Sequence, residues 1–163
     1  MLRRILNHGE ERVREQIVPA TTRYDAHVYP KVRIADTIVL EGLEQALKKY
    51  ALMAHFDFLV ADDGHRPRFA VEFDGPGHSV ENDAKKDQIC RQVDLALFRV
   101  NLRMSRSKIG DLTFLNYLVH LWFLALRFKE MQSAGDLPPD EAFMISGFLR
   151  PDAKHVSTAS STC

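Results

Sequence analysis

The chain has 163 residues, 45% of them hydrophobic, and its 22 Lys and Arg match its 22 Asp and Glu, for a formal net charge of zero. That length fits one domain with a real core, and the balanced charge excludes the bulk positive field of a strongly basic nucleic-acid binder. Cys90 and Cys163 show neither CxxC spacing nor a matching His cluster, so neither a disulfide framework nor a zinc site is expected; with no apolar run after Met1-Leu2-Arg3-Arg4, the expected location is the cytoplasm.

In chain order, residues 9–18 read as a helix, with Val13 and Ile17 four apart and Gly9 placed as a cap. Tyr24 to Ile38 holds a short β-rich stretch broken by Pro30, and Gly42 to Tyr50 is compatible with either a helical turn or a loop. Ala54 to Gly75 carries the clearest pattern. Phe56, Phe58 and Val60 alternate with Asp57, Leu59 and Ala61. After a Gly- and Pro-containing turn, Phe69, Val71 and Phe73 alternate with Ala70, Glu72 and Asp74. Two alternating runs joined by such a turn predict an antiparallel hairpin.

Gly75-Pro76-Gly77 breaks the pattern, and a helix is expected over 81–93, capped by Ser79 or Asn82, with Ile89 and Val93 on its apolar face. Leu95 to Leu102 reads as a strand, so a strand–helix–strand order points to an α/β sheet flanked by helices. Leu112 to Met131 predicts a long apolar helix. Asn116, His120, Arg127 and Lys129 interrupt it, which favours a buried core or homodimer helix over a membrane span. The expected organisation is a core over residues 1–110, a helical extension over 111–150 and a disordered Ser/Thr-rich tail over 151–163.

Charge is uneven along the chain. Residues 35–83 are mostly acidic, whereas Lys85, Lys86, Arg91, Arg99, Arg103, Arg106 and Lys108 make the next stretch basic. An acidic centre beside a basic flank suits a site that holds a cation and meets a polyanion; solvated faces would give the same pattern.

A hairpin turning symmetrically about Gly64 and His65 pairs Ala61 with Arg68 and sets Asp57 opposite Glu72. Opposed residues share a face, with Cβ atoms about 4.5–5.5 Å apart. Asp74 lies two positions on, so three carboxylates are expected on one face, with Phe56, Phe58, Val71 and Phe73 on the other. Like charges placed so closely need an offset, and a hard divalent cation, Mg²⁺ or Mn²⁺, is the simplest one.

Phe56-Asp57-Phe58-Leu59-Val60, then Ala70-Val71-Glu72-Phe73-Asp74-Gly75-Pro76-Gly77-His78, then a helix with Asp83 and Lys86, then Leu97-Phe98-Arg99-Val100 resembles the PD-(D/E)XK nuclease superfamily, especially its very-short-patch-repair-like branch and related domains. The resemblance spans about residues 9–103, and is most specific in the hairpin. It implies a restriction-endonuclease-like fold and a nuclease that cleaves nucleic acid, DNA rather than RNA by preference. It makes Asp57 and Glu72 metal ligands and puts Asp74, which can bind metal, at the third position, where the superfamily usually has Lys. Lys86, or its neighbour Lys85, would then stand in for that lysine. Glu10 satisfies the pattern of the N-terminal helix with Val13 and Ile17, although a helix N-terminal carboxylate explains it equally. His78 would sit at the metal edge, and Arg99, Arg103, Arg106 and Lys108 would bind flanking phosphates. Because Asp replaces Lys, a nucleic-acid-binding or dimerising module of weak or absent activity is the alternative.

Overall fold

The computed structural model describes residues 2–75 and 79–143; His78 and the 151–163 tail lie outside them. Helix α1 (His8–Thr22) starts at Asn7, not at Gly9. The Asn7 side chain accepts from the Glu10 N–H while the Glu10 carboxylate accepts from the Asn7 N–H, a reciprocal capping box. The helix runs through Pro19 to Thr22, four residues beyond the expected end. Its last turn is held by packing, since Ala20 and Thr21 are buried.

Strand β1 (His27–Arg33) includes Pro30 without a break, because it is an edge strand with one row of backbone groups unpaired. Gly42–Tyr50, open in the sequence, resolves into α2 (Gln45–Met53), which seats Leu47 and Ala51. Then come β2 (His55–Ala61), β3 (Pro67–Asp74), α3 (Val80–Gln92, capped by Ser79), β4 (Ala96–Asn101), a two-residue pair β5 (Lys108–Ile109) and β6 (Leu112–Thr113), and α4 (Phe114–Ala134).

The main sheet has the order β1-β2-β3-β4. The first two pairings are antiparallel, and β3 and β4 run parallel through the α3 crossover. The expected α/β class, a mixed sheet flanked by helices with a long C-terminal helix, is what the structure has. On one face Val13 and Ile17 of α1 and Leu115, Val119 and Phe123 of α4 pack on Phe58, Val60, Phe69 and Val71. On the other, Leu47 and Ala51 of α2 and Ile89 and Cys90 of α3 pack on Phe56, Leu59 and Ala70. Helix α4, expected as an extension, therefore closes the first core, with Leu118, Trp122 and Leu126 packed beside its buried residues. His120 on that helix is held by the Tyr24 hydroxyl, 2.9 Å from its Nδ1.

The expected hairpin register holds at Phe58↔Val71, Leu59↔Ala70 and Val60↔Phe69, but not at the turn. Ala61 pairs with Pro67 instead of Arg68, because a bulge between Val60 and Ala61 absorbs one residue. Phe56 also departs from expectation. It enters the α2/α3 core whereas Phe58 enters the α1/α4 core. The strict alternation fails at Asp57, where the opposing Lys31 adopts φ +53 and the β1–β2 pairing skips a step.

Candidate metal and phosphate site at one end of the sheet

The C-terminal halves of β1, β3 and β4 and the N-terminal end of β2 meet at one end of the sheet. Asp57, Glu72, Asp74 and Arg99 lie there, joined by Glu10 from the first turn of α1 and by Lys86 from α3. Side chains replace the hairpin ladder at this point. The Asp57 N–H donates to Glu72 Oε1 at 3.1 Å, and the Phe73 N–H donates to Asp57 Oδ2 at 2.9 Å. Asp57 and Glu72 thus stand side by side, each tied to the other strand.

Each carboxylate also has its own cation, and the two cations come from different layers. Lys31 Nζ donates to Asp57 Oδ1 at 2.6 Å and to Glu10 Oε1 at 2.9 Å. Lys86 Nζ pairs with Glu72 Oε2 at 2.7 Å, donates to the His55 carbonyl at 2.9 Å and lies over the Phe56 ring. Burial alone would lower the Lys31 pKa, but the hydrogen bonds and charges of Asp57 and Glu10 outweigh it and raise it. Burial raises the Glu72 carboxyl; Lys86 pulls it back only in part, and the Asp57 charge adds to the rise.

The three carboxylates expected on one face do not form one cluster. Asp57 is drawn towards Lys31, Glu72 towards Lys86, and Asp74 stands 3.9 Å from Arg99 Nη1. Among the described residues no group of three or more His, Cys, Asp or Glu side chains is set to hold a metal ion. Glu10 is both helix cap and site residue, since one carboxylate serves the Asn7 N–H and Lys31. The donors still suit a hard cation. They are carboxylate oxygens, and those of Glu10 and Asp57 already converge on a single positive charge.

The other expected contacts divide. Arg99 is taken up by Asp83 Oδ1 at 2.9 Å, the Asp83 carbonyl at 3.2 Å and Asp87 Oδ1 at 2.7 Å, so it ties β4 to α3. Lys85 pairs with Glu81 one turn back along α3, at 2.6 Å, whereas Lys86 is buried. Arg103, Arg106 and Lys108 are exposed on the segment after β4, which leaves the sheet at the end where the site lies. Sequence reasoning missed Lys31. It sits next to Pro30 in a stretch without a motif, and its positive φ left no pattern to find.

No helix among the described residues is long and apolar enough to cross a membrane. No curated protein and no solved structure matches the chain. A family model described as "Protein of unknown function (DUF2726)" matches residues 3–112, a span that takes in α1, the whole main sheet and every residue of the site. The chain therefore belongs to the DUF2726 family.

Proposed function

We propose that the protein is a metal-dependent nuclease that hydrolyses phosphodiester bonds, of DNA in preference to RNA, at the end of the sheet that carries Asp57 and Glu72. The observation that carries this is the pairing of those two carboxylates where side chains replace the hairpin ladder. The PD-(D/E)XK resemblance of the same residues supports it. Asp57, Glu72 and Glu10 would hold Mg²⁺ or Mn²⁺, with Asp74 beside them. A bound divalent ion would supply a water of lowered pKa and neutralise charge growing on the phosphate. Lys86 favours the ionised form of Glu72 and aims it, and its bond to the His55 carbonyl fixes its own position. Arg103, Arg106 and Lys108 would bind flanking phosphates, giving affinity that falls as salt rises. A cytoplasmic location accompanies this function, Cys90 being a buried free thiol.

One observation favours a second reading, a nucleic-acid-binding module of weak or absent activity. Asp57 and Glu72 are each already neutralised by a lysine. Cleavage of plasmid, single-stranded DNA and RNA with Mg²⁺ or Mn²⁺ tests the choice, with wild type compared against Asp57→Asn and Glu72→Gln. The nuclease requires activity in the wild type that falls by about a hundredfold or more in either variant. Equal background cleavage by all three proteins would refute it.

A further inference from the structure

The main sheet ends in two unlike edges, β1 and β4. On β1, Pro30 removes a donor, Lys31 turns to φ +53, and Lys31 and Arg33 put charge along the strand, all of which discourages a further strand. Strand β4 has none of these guards. Ala96–Asn101 holds no proline, no glycine and no residue at positive φ, and its one charge, Arg99, is folded onto α3 by Asp83 and Asp87. It pairs with β3 alone, so alternate residues turn both N–H and C=O away from the sheet. Leu95 to Phe98 are only partly buried. On one face an open cavity of about 480 Å³, lined by Cys90, Arg91, Leu95 and Leu97, lies between α3 and the strand; on the other, Phe98 stands 5.6 Å from the partly buried Trp122. Exposed charges of opposite sign flank the strand, Asp94 before it and Arg103 after it, and Leu102, 43% exposed, lies beside Arg103.

We propose that β4 pairs with β4 of a second copy of this chain, antiparallel about a twofold axis normal to the sheet, joining two four-stranded sheets into one. Nothing in this depends on a metal or on nuclease activity. The distribution of charge selects the occupant. Antiparallel pairing brings the Asp94 end of each strand to the Arg103 end of the other, so the edge is complementary to itself, whereas parallel pairing would set like charges together. The twofold also restricts the register. Opposed residues share a face, so the centre falls on a residue and not between two. Centred on Phe98, the pairing sets Phe98 against Phe98 and Ala96 against Val100, and puts Asp94 beside Leu102 and Arg103. Centred on Arg99, it would set two guanidinium groups side by side. The C-terminal ends of the two β4 strands then point in opposite directions, so the two candidate sites lie at opposite ends of the joined sheet.

The test is sedimentation velocity of the full chain at low salt, from about 1 to about 100 µM, with a reductant present to remove any disulfide through Cys163. Wild type should dimerise over this range. Asp94→Lys or Arg103→Asp puts like charges together twice in each dimer and should weaken it about fivefold or more. The double variant Asp94→Lys with Arg103→Asp should return to within about threefold of wild type. Both residues are exposed, and circular dichroism checks that the variants fold. A second measurement needs no variant and decides the matter if one misfolds. Amide hydrogen exchange over Leu95–Asn101, read by mass spectrometry, should slow several-fold between about 1 and about 100 µM wild type, with β1 unchanged. A wild type still monomeric at about 100 µM, a dimer that the double variant fails to restore, or β4 exchange independent of concentration overturns the proposal.

Discussion

Replacing Lys86 by Met leaves the Glu72 carboxylate without its cation in a place where its side chain is 6% exposed. Removing one member of a buried pair generally costs about 3–5 kcal/mol. Here the cost has a ceiling, because Glu72 can escape by taking up a proton. From its ordinary value of 4.5, protonation at pH 7 costs about 3.4 kcal/mol at 1.36 per unit, and less from a carboxyl whose folded pKa is already raised. The hydrogen bond from Lys86 Nζ to the His55 carbonyl adds about 1 kcal/mol. Lys86→Met should therefore lose about 3–4 kcal/mol at pH 7. At pH 5 the ceiling drops by about 2.7 kcal/mol, leaving a loss of about 1–2. The direction follows from linkage: a carboxyl with a raised folded pKa contributes stability that is present below pH 4.5 and lost as pH rises through the folded value, and removing Lys86 raises that value further. Urea unfolding followed by circular dichroism at pH 5 and pH 7 measures both losses. The double variant Lys86→Met with Glu72→Gln should recover stability at pH 7 and lose the pH dependence. Equal costs of Lys86→Met at the two pH values, or a cost under about 1 kcal/mol at pH 7, would refute the assignment of Lys86 as the partner that keeps Glu72 charged.

Three further outcomes are expected. Burial, helped by the Arg23 charge, lowers the His120 pKa, so neutral His120 contributes stability present above pH 6.5 and lost as pH falls through the lowered value; melting temperatures from pH 8 to pH 5 should show this fall in wild type and a smaller one in His120→Gln. Burial pushes the Cys90 thiol up to about 11, so in a Cys163→Ser protein at pH 8 a disulfide reagent should react with Cys90 only as fast as the chain unfolds, and rapid labelling would contradict it. A Cβ at Gly9 would overlap the Phe73 ring, so Gly9→Ala should cost about 1–3 kcal/mol in urea unfolding, and an unchanged midpoint would show that α1 can shift freely over β3.

The hairpin was legible because two independent patterns agree. The alternation of Phe56 to Ala61 and of Phe69 to Asp74 marks the strands, and a turn centred on Gly64 and His65 predicts the inner register that sets Phe58 against Val71. The bulge was not legible, since Ala61 and Pro67 suit a regular pair as well as an irregular one by residue type. Glu72 and Lys86 were marked by the nuclease resemblance, but their contact was not, because it depends on α3 packing Ile89 and Cys90 against Leu59 and Ala70. Arg99 shows the opposite limit. Its position in β4 was readable, yet Asp83 and Asp87 on α3 decide what it binds. Lys31 lay beyond any periodicity, since its positive φ breaks the alternation of the edge strand and sends Tyr29 and Val32, three apart, into the same core.

The repulsion between Asp57 and Glu72 was the physical ground for expecting a divalent cation. The structure answers that repulsion with two ammonium groups, so crowded carboxylates alone do not require a metal. What distinguishes a metal site from a closed ion-pair network is then whether the cations can leave. Lys86 cannot do so cheaply. It is buried, it has a third partner in the His55 carbonyl, and its departure strands a carboxylate in the core. Lys31 is less confined, because it is partly exposed, and Glu10 has bonds from Asn7 that do not depend on it. Asp57 likewise has its bond from the Phe73 N–H, which does not depend on Lys31. The Glu72–Lys86 pair is therefore the fixed half of the site, and Glu10 and Asp57 share the cation that is less confined.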